Sequence, residues 1–272
     1  MAGRRKRRRH KTGTVLTGIG KEMREPISLC LVLLILSPLA RSDEALIAVA
    51  ANFTSAAEQL ETAFELKSGH RITIASGSTG SLYAQIHNGA PYDVLLAADQ
   101  ERPMLLEKSG HAISGSRFTF ASGRLALWSR NPELMQSDLS ATLAQKRIVA
   151  LAIANPALAP YGIASREALE SLHIWDTVSN KIVMGENVGQ AHALVATGNA
   201  QAGIVALSLV LDPDMSKGKT YLRIPEDLHA PIRQDAVLLR HGDGNSAALA
   251  FLAYLQSEAG REAITSNGYG VQ

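Results

Sequence analysis

The sequence predicts an α/β fold built as two lobes. Three observations carry this. Short apolar runs of strand length alternate with helical patterns through most of the chain. No internal repeat or long linker separates independent domains. About 230 of the 272 residues remain once the first 42 are set aside, enough for two small lobes with cores of their own.

The first 42 residues are read separately because residues 27–39 (ISLCLVLLILSPL) form an apolar run behind basic residues. Such a run, too short to span a bilayer and followed by small residues, reads as a signal peptide cleaved after Ala40 or Ser42. The basic cluster from Arg4 to Arg9 is cut off from this run by Glu22 and Glu25, whereas Met23 with Arg24 would open a signal of ordinary length. From there the elements follow in order. A strand is expected at 46–50, then a helix at 55–67, with Ser55 and Glu58 at capping-box spacing, Leu60 and Phe64 on one face and Gly69 just past the end. Further strands are expected at 71–75, 93–97, 124–128, 148–153, 181–184, 203–206, 221–224 and 234–239, with helices between many of them. Helices at 246–256 and 258–266 close the chain.

Ten of the 27 Lys/Arg and two of the 25 Asp/Glu fall in residues 1–42, which leaves 17 against 23 and a net charge of −6. A processed chain of that sign is a poor partner for nucleic acid or an anionic membrane. The sole cysteine, Cys30, lies in the apolar run, so the remainder has no disulfide, thiolate metal site or cysteine nucleophile. Nor is Cys30 placed as a lipoprotein acceptor, since apolar residues continue beyond it.

In open α/β sheets ligands sit beyond the carboxyl ends of strands, where helix N-termini aim amide donors into a crevice. Four strand-to-helix turns fit that description: residues 50–54 (AANFT), 76–80 (SGSTG), 159–162 (APYG) and 186–190 (ENVGQ). Each offers backbone N–H groups and a hydroxyl or amide, and none contains Lys or Arg. A fully ionised dianion can be held by neutral donors and helix dipoles alone, whereas monohydrogen phosphate carries a donor that wants a carboxylate. Glu186 is the one carboxylate in these turns. Taken singly, each turn reads as well as structure: Asn52 as a cap, the Gly-Ser-Thr-Gly run as a tight bend, Pro160 as a fixed corner, Val188 as loop packing. Four of them at strand ends in both halves of the chain point to a cleft between lobes.

The segments AVAANFTSAAEQL (48–60), SGSTGSLYAQIHNGAPYDVLLAAD (76–99), NPALAPYGIASREAL (155–169) and ENVGQAHALV (186–195) resemble the periplasmic molybdate-binding proteins of ABC transporters, over essentially the whole processed chain. The strongest part is Gln85-Ile86 joined to Gly89-Ala90-Pro91 and Asp93. The resemblance implies a two-lobed periplasmic-binding-protein fold of type II closing on its ligand, with one lobe over 43–121 and 229–272 and the other over 122–228. It implies oxyanion contacts at Asn52, at Thr79 with Ser78 beside it, at the Tyr161 turn and at the amide of Val188. It further implies a monomer in the periplasm that delivers molybdate or tungstate to a membrane permease, with no other cofactor, no directly coordinated metal and no catalysis. Two positions depart from the commoner pattern. Asn52 stands where many members have serine, and Ala206 where many have tyrosine, so Tyr161 is expected to supply the missing hydroxyl.

Rival readings find less support. Ser76 stands where a nucleophile elbow needs glycine, no P-loop lysine follows Gly80, and neither a His-Glu-x-x-His run nor a dinucleotide fingerprint occurs. Seven histidines follow residue 42 without ligand spacing; His192, one helical turn after Val188, is expected to support that turn. A signalling role would need an attached DNA-binding segment, and none is visible in the sequence. Sulfate, thiosulfate or a carboxylate remain as alternative ligands of the same site.

Overall fold

The structure, a computed structural model, describes residues 43–211 and 221–271. The expected signal peptide lies outside them. The chain runs β1 (Glu44–Ala50), α1 (Thr54–Ser68), β2 (Arg71–Gly77), α2 (Thr79–His87), β3 (Val94–Leu96), α3 (Glu101–Lys108) and β4 (Phe118–Gly123). It continues as β5 (Leu125–Trp128), α4 (Leu139–Leu143), β6 (Leu151–Ala154), α5 (Pro160–Ser171), α6 (Trp175–Val178), β7 (Ile182–Gly185), α7 (Val188–Ala196), β8 (Ala202–Ala206), α8 (Leu207–Leu211) and β9 (Tyr221–Arg223). Finally β10 (Ile232–Leu238), α9 (Ser246–Gln256) and α10 (Glu258–Ser266) complete it.

Two five-stranded sheets result, ordered β2-β1-β3-β10-β4 and β7-β6-β8-β5-β9. The two repeat one plan. In the first, β1 pairs parallel with β2 and β3, while β10 runs antiparallel to β3 and β4. In the second, β6 pairs parallel with β7 and β8, while β5 runs antiparallel to β8 and β9. The central parallel strand β6 (LAIA) is buried throughout, as a strand covered by helices on both faces requires. The chain passes from the first sheet to the second between Gly123 and Leu125 and returns between Arg223 and Ile232.

Two local expectations are corrected. The strand expected at 124–128 is preceded by β4, which the sequence reading did not name, because FTFASG alternates weakly and ends in residues that favour turns. The capping box at Ser55 does not form. A 3-10 turn over Ala51–Phe53 leads directly into α1, Ser55 lies inside the helix, and Phe53 at the cap position has no side chain able to accept a bond. The far end of α1 behaves as expected: Gly69 adopts φ 72° and its N–H reaches the Glu65 carbonyl at 3.0 Å.

Candidate functional site

In each sheet two of the parallel strands end in the turns that the sequence singles out. β1 runs into the Ala51–Phe53 turn, β2 into the N-terminus of α2, β6 through residues 155–159 into α5, and β7 into α7. The two sheets therefore present equivalent helix N-termini, two from each. Bonds and contacts bring these together. Thr54 Oγ1 and Ser76 Oγ, 2.7 Å apart, tie the first turn to the second. The Gly80 N–H donates to the Leu158 carbonyl at 2.9 Å, tying the second to the third across the lobes. At the fourth, a Cβ added to Gly189 would stand 3.7 Å from Ala51 Cβ, so its backbone lies against the first turn. Gly80 is held to glycine by the same closeness, since its Cβ would come 2.8 Å from the Leu158 oxygen.

Asn52, Ser78, Thr79, Tyr161 and Val188 are each at most 3% exposed, so the convergence is buried. They are held in two different ways. Ser78 is the N-cap of α2: its hydroxyl accepts from Ser81 N–H at 3.1 Å and bonds to Ser81 Oγ at 2.7 Å. The Thr79 hydroxyl accepts from Ala98 N–H at 3.1 Å, which leaves its own hydrogen to donate. At the fourth turn the cap is Asn187, whose side chain accepts from Gln190 N–H at 2.9 Å, leaving Val188 as the first residue of α7. His192 follows one turn later, stacked flat on the Trp128 indole with ring centroids 4.4 Å apart. That stack braces α7 against β5.

Asn52 and Tyr161 belong instead to a buried polar cluster spanning both sheets. Asn52 Nδ2 donates to Gln234 Oε1 at 2.9 Å and to the Tyr269 hydroxyl at 3.2 Å. The Asn52 carbonyl accepts from the Tyr269 hydroxyl at 2.5 Å and from Ser208 Oγ at 3.1 Å. Gln234 Nε2 donates to the Tyr161 hydroxyl at 3.3 Å. Phe53 seats Tyr269 there by edge-on packing, ring centroids 5.1 Å apart. Burial pushes the Tyr161 hydroxyl well above its ordinary pKa, the neighbouring Tyr269 adding to the rise while bonds to Gln234 and Asn52 offset part of it. Tyr269 is likewise raised by burial, against bonds to Ser208 and Asn52. Both therefore stay neutral hydroxyl donors across the physiological range.

The cluster's electrostatics follow from what surrounds it. Glu186 is exposed, its backbone N–H bonded to Gln190 Oε1 at 2.9 Å, so its carboxylate is not part of the buried convergence. Among the described residues no group of three or more His, Cys, Asp or Glu is placed to hold a metal ion. A cavity of about 220 Å³ opens beside the convergence, but of the four turns it touches only the third, at Pro160. Its lining includes Asp99, Glu101 and Glu167 against the single Arg233, a sign that disfavours an anion. Gln234, Tyr269, Ser208 and Gly123 were missed in the sequence, because nothing local to them signals a partner more than a hundred residues away.

Residues 45–270 match the bacterial extracellular solute-binding protein family. The chain is 44% identical over 233 residues to the molybdate-binding protein ModA of Azotobacter vinelandii, covering 86% of this chain and 92% of the relative. It is 41% identical over 230 residues to the molybdate-binding protein ModA of Rhodobacter capsulatus, covering 85% and 89%. In three dimensions it resembles the periplasmic molybdate-binding protein of Azotobacter vinelandii, with a TM-score of 0.79 at 36% identity over 84% of this chain and 99% of that one. A family match over nearly every described residue and relatives of this identity place the chain in the bacterial extracellular solute-binding protein family.

Proposed function

We propose that this chain is an exported binding protein of an ABC transporter that captures molybdate, takes tungstate equally well, and delivers the ion to a membrane permease. The observation that carries the reading is the convergence of four buried helix-leading turns, two from each sheet, without a lysine or arginine in any of them. Neutral donors and helix dipoles suit a dianion that has no proton of its own to place. The exposed position of Glu186 leaves monohydrogen phosphate without the acceptor it would need there. The likeness to molybdate-binding relatives supports the choice of ion.

In this reading the ion lies at the meeting point of Asn52, Ser78, Thr79, Tyr161 and Val188. Thr79 and Tyr161 donate through hydroxyls. Val188 donates through its amide at the start of α7. Asn52 acts through the backbone of the turn it anchors, since its side-chain amide is turned onto Gln234, Tyr269 and the Tyr161 hydroxyl. Sulfate asks for the same donors, so discrimination rests on the size of the closed cavity. The protein works as a monomer in the periplasm, needs no cofactor and catalyses nothing.

Calorimetric titration of the processed chain tests this. Tight binding of molybdate and tungstate with negligible sulfate binding is expected. A preference for sulfate, or no oxyanion binding, overturns the choice of ligand.

A further inference from the structure

Gln234 does more than fill space between the lobes. It is fully buried on β10, beside a β-bulge that falls between Gln234 and Asp235. Asp235, facing the other way along the strand, is pinned by Arg117 Nη1 at 2.5 Å and Thr119 Oγ1 at 2.6 Å. The Gln234 amide is thus fixed in place, and its two ends are not equivalent. Oε1 is occupied by a hydrogen from Asn52, so Nε2 must face Tyr161. An N–H directed at the Tyr161 oxygen makes that oxygen an acceptor on this side. The Asn52 side-chain amide lies against the same oxygen as a second donor, so the hydroxyl hydrogen points away from both amides. Gly123 completes the seat: a Cβ there would stand 2.1 Å from the Tyr161 oxygen and 2.8 Å from Gln234 Nε2.

We propose that Gln234 is a specificity-determining positioning residue, which fixes the Tyr161 hydroxyl as a donor and so selects a fully deprotonated oxyanion. The inference rests on the molybdate reading above. A ligand presenting its own hydrogen at this point would meet a second hydrogen; an unprotonated oxygen meets the donor it needs.

The test reverses the polarity. In Gln234→Glu the ionised carboxylate only accepts, so it draws the Tyr161 hydrogen back toward itself and turns lone pairs on the ligand. Calorimetry with molybdate should show at least a tenfold loss of affinity at about pH 8, recovering as pH falls through about 7 to 5, where a buried carboxyl regains its proton. The unsubstituted protein should stay flat over that range. In a Tyr161→Phe background the same substitution should cost less than about threefold, because the group it acts through is gone. A glutamate variant that binds as well as the parent, shows no recovery at low pH, or loses as much without the Tyr161 hydroxyl overturns the proposal. Absence of molybdate binding in the unsubstituted protein instead overturns the reading beneath it. If Gln234→Glu does not fold at pH 8, Gln234→Met serves: a loss of similar size without pH dependence is expected, again shrinking with Tyr161→Phe, and equal losses in both backgrounds reject the idea.

Discussion

The turns at Asn52 and Ser78 look alike in sequence, each a small polar residue shortly before a helix, yet they are built on opposite principles. Ser78 is satisfied locally, by Ser81 three residues on. Asn52 is satisfied at a distance, by Gln234 and Tyr269, which lie 182 and 217 residues away in the chain. The Ser78 turn can form as soon as its helix does. The Asn52 turn is complete only when β10 and the C-terminal segment have come against it, and its cluster's bonds to Ser208 also require α8, which follows β8 of the second sheet. One holds a helix end; the other holds the lobes in register around the site.

The contrast predicts unequal costs. Asn52→Ala strands Gln234 Oε1 and removes a partner from Tyr269 inside a fully buried cluster, and each orphaned group carries the penalty of lost solvation. A loss of about 3 kcal/mol in urea denaturation is expected, together with most of the molybdate-induced rise in melting temperature. If stability falls by less than about 1 kcal/mol, the long-range network is not what holds this turn. Gly123→Ala attacks the same cluster from the other side. The added methyl collides with the Tyr161 hydroxyl, and forcing it aside should cost about 2 kcal/mol and weaken molybdate binding while leaving the β4–β10 pairing intact. Wild-type affinity in this variant would mean that the Tyr161 seat is irrelevant to the ligand.

Ser78→Ala should cost less, about 1 kcal/mol, the ordinary value of an N-cap, because only the first turn of α2 loses its acceptor. Thr79 keeps its bond from Ala98 N–H in that variant, so binding should weaken without disappearing. A stability loss equal to that of Asn52→Ala would erase the distinction between the two turns.

The same difference governs what could be read from the sequence. Strand β1, helix α1 with its Gly69 terminus, and the four strand-to-helix turns are set by patterns a few residues long, and each was visible. Where the local pattern is weak, as in FTFASG, the strand was overlooked. Where it misled, as at Ser55, a 3-10 turn fixed by the burial of Phe53 started the helix one residue earlier. Asn52, Ser78, Thr79, Tyr161 and Val188 could be named because they sit in those turns. Gln234 and Tyr269 could not. A polar pair, Gln234-Asp235, ahead of the apolar AVL of β10 was the faint sign that this strand buries something other than side-chain oil.

The smallest effect expected is that of pH near neutrality, and it separates the two turns in a further way. Nothing at the Ser78 cap titrates, whereas the Asn52 cluster contains two tyrosines whose hydroxyls burial has pushed above their ordinary pKa. A raised value means the folded state holds its proton more tightly than the unfolded chain. The stability this brings is complete below the unfolded value, about pH 10, and is lost as pH rises beyond it. Stability should therefore show no tyrosine-linked slope between about pH 6 and 9 and should fall above about pH 10, less steeply in Tyr269→Phe than in the parent. Denaturation curves across that range check this directly. A tyrosine-dependent loss already present at about pH 8 would mean that one hydroxyl ionises early, and a phenolate in the cluster would repel the anion it is proposed to receive.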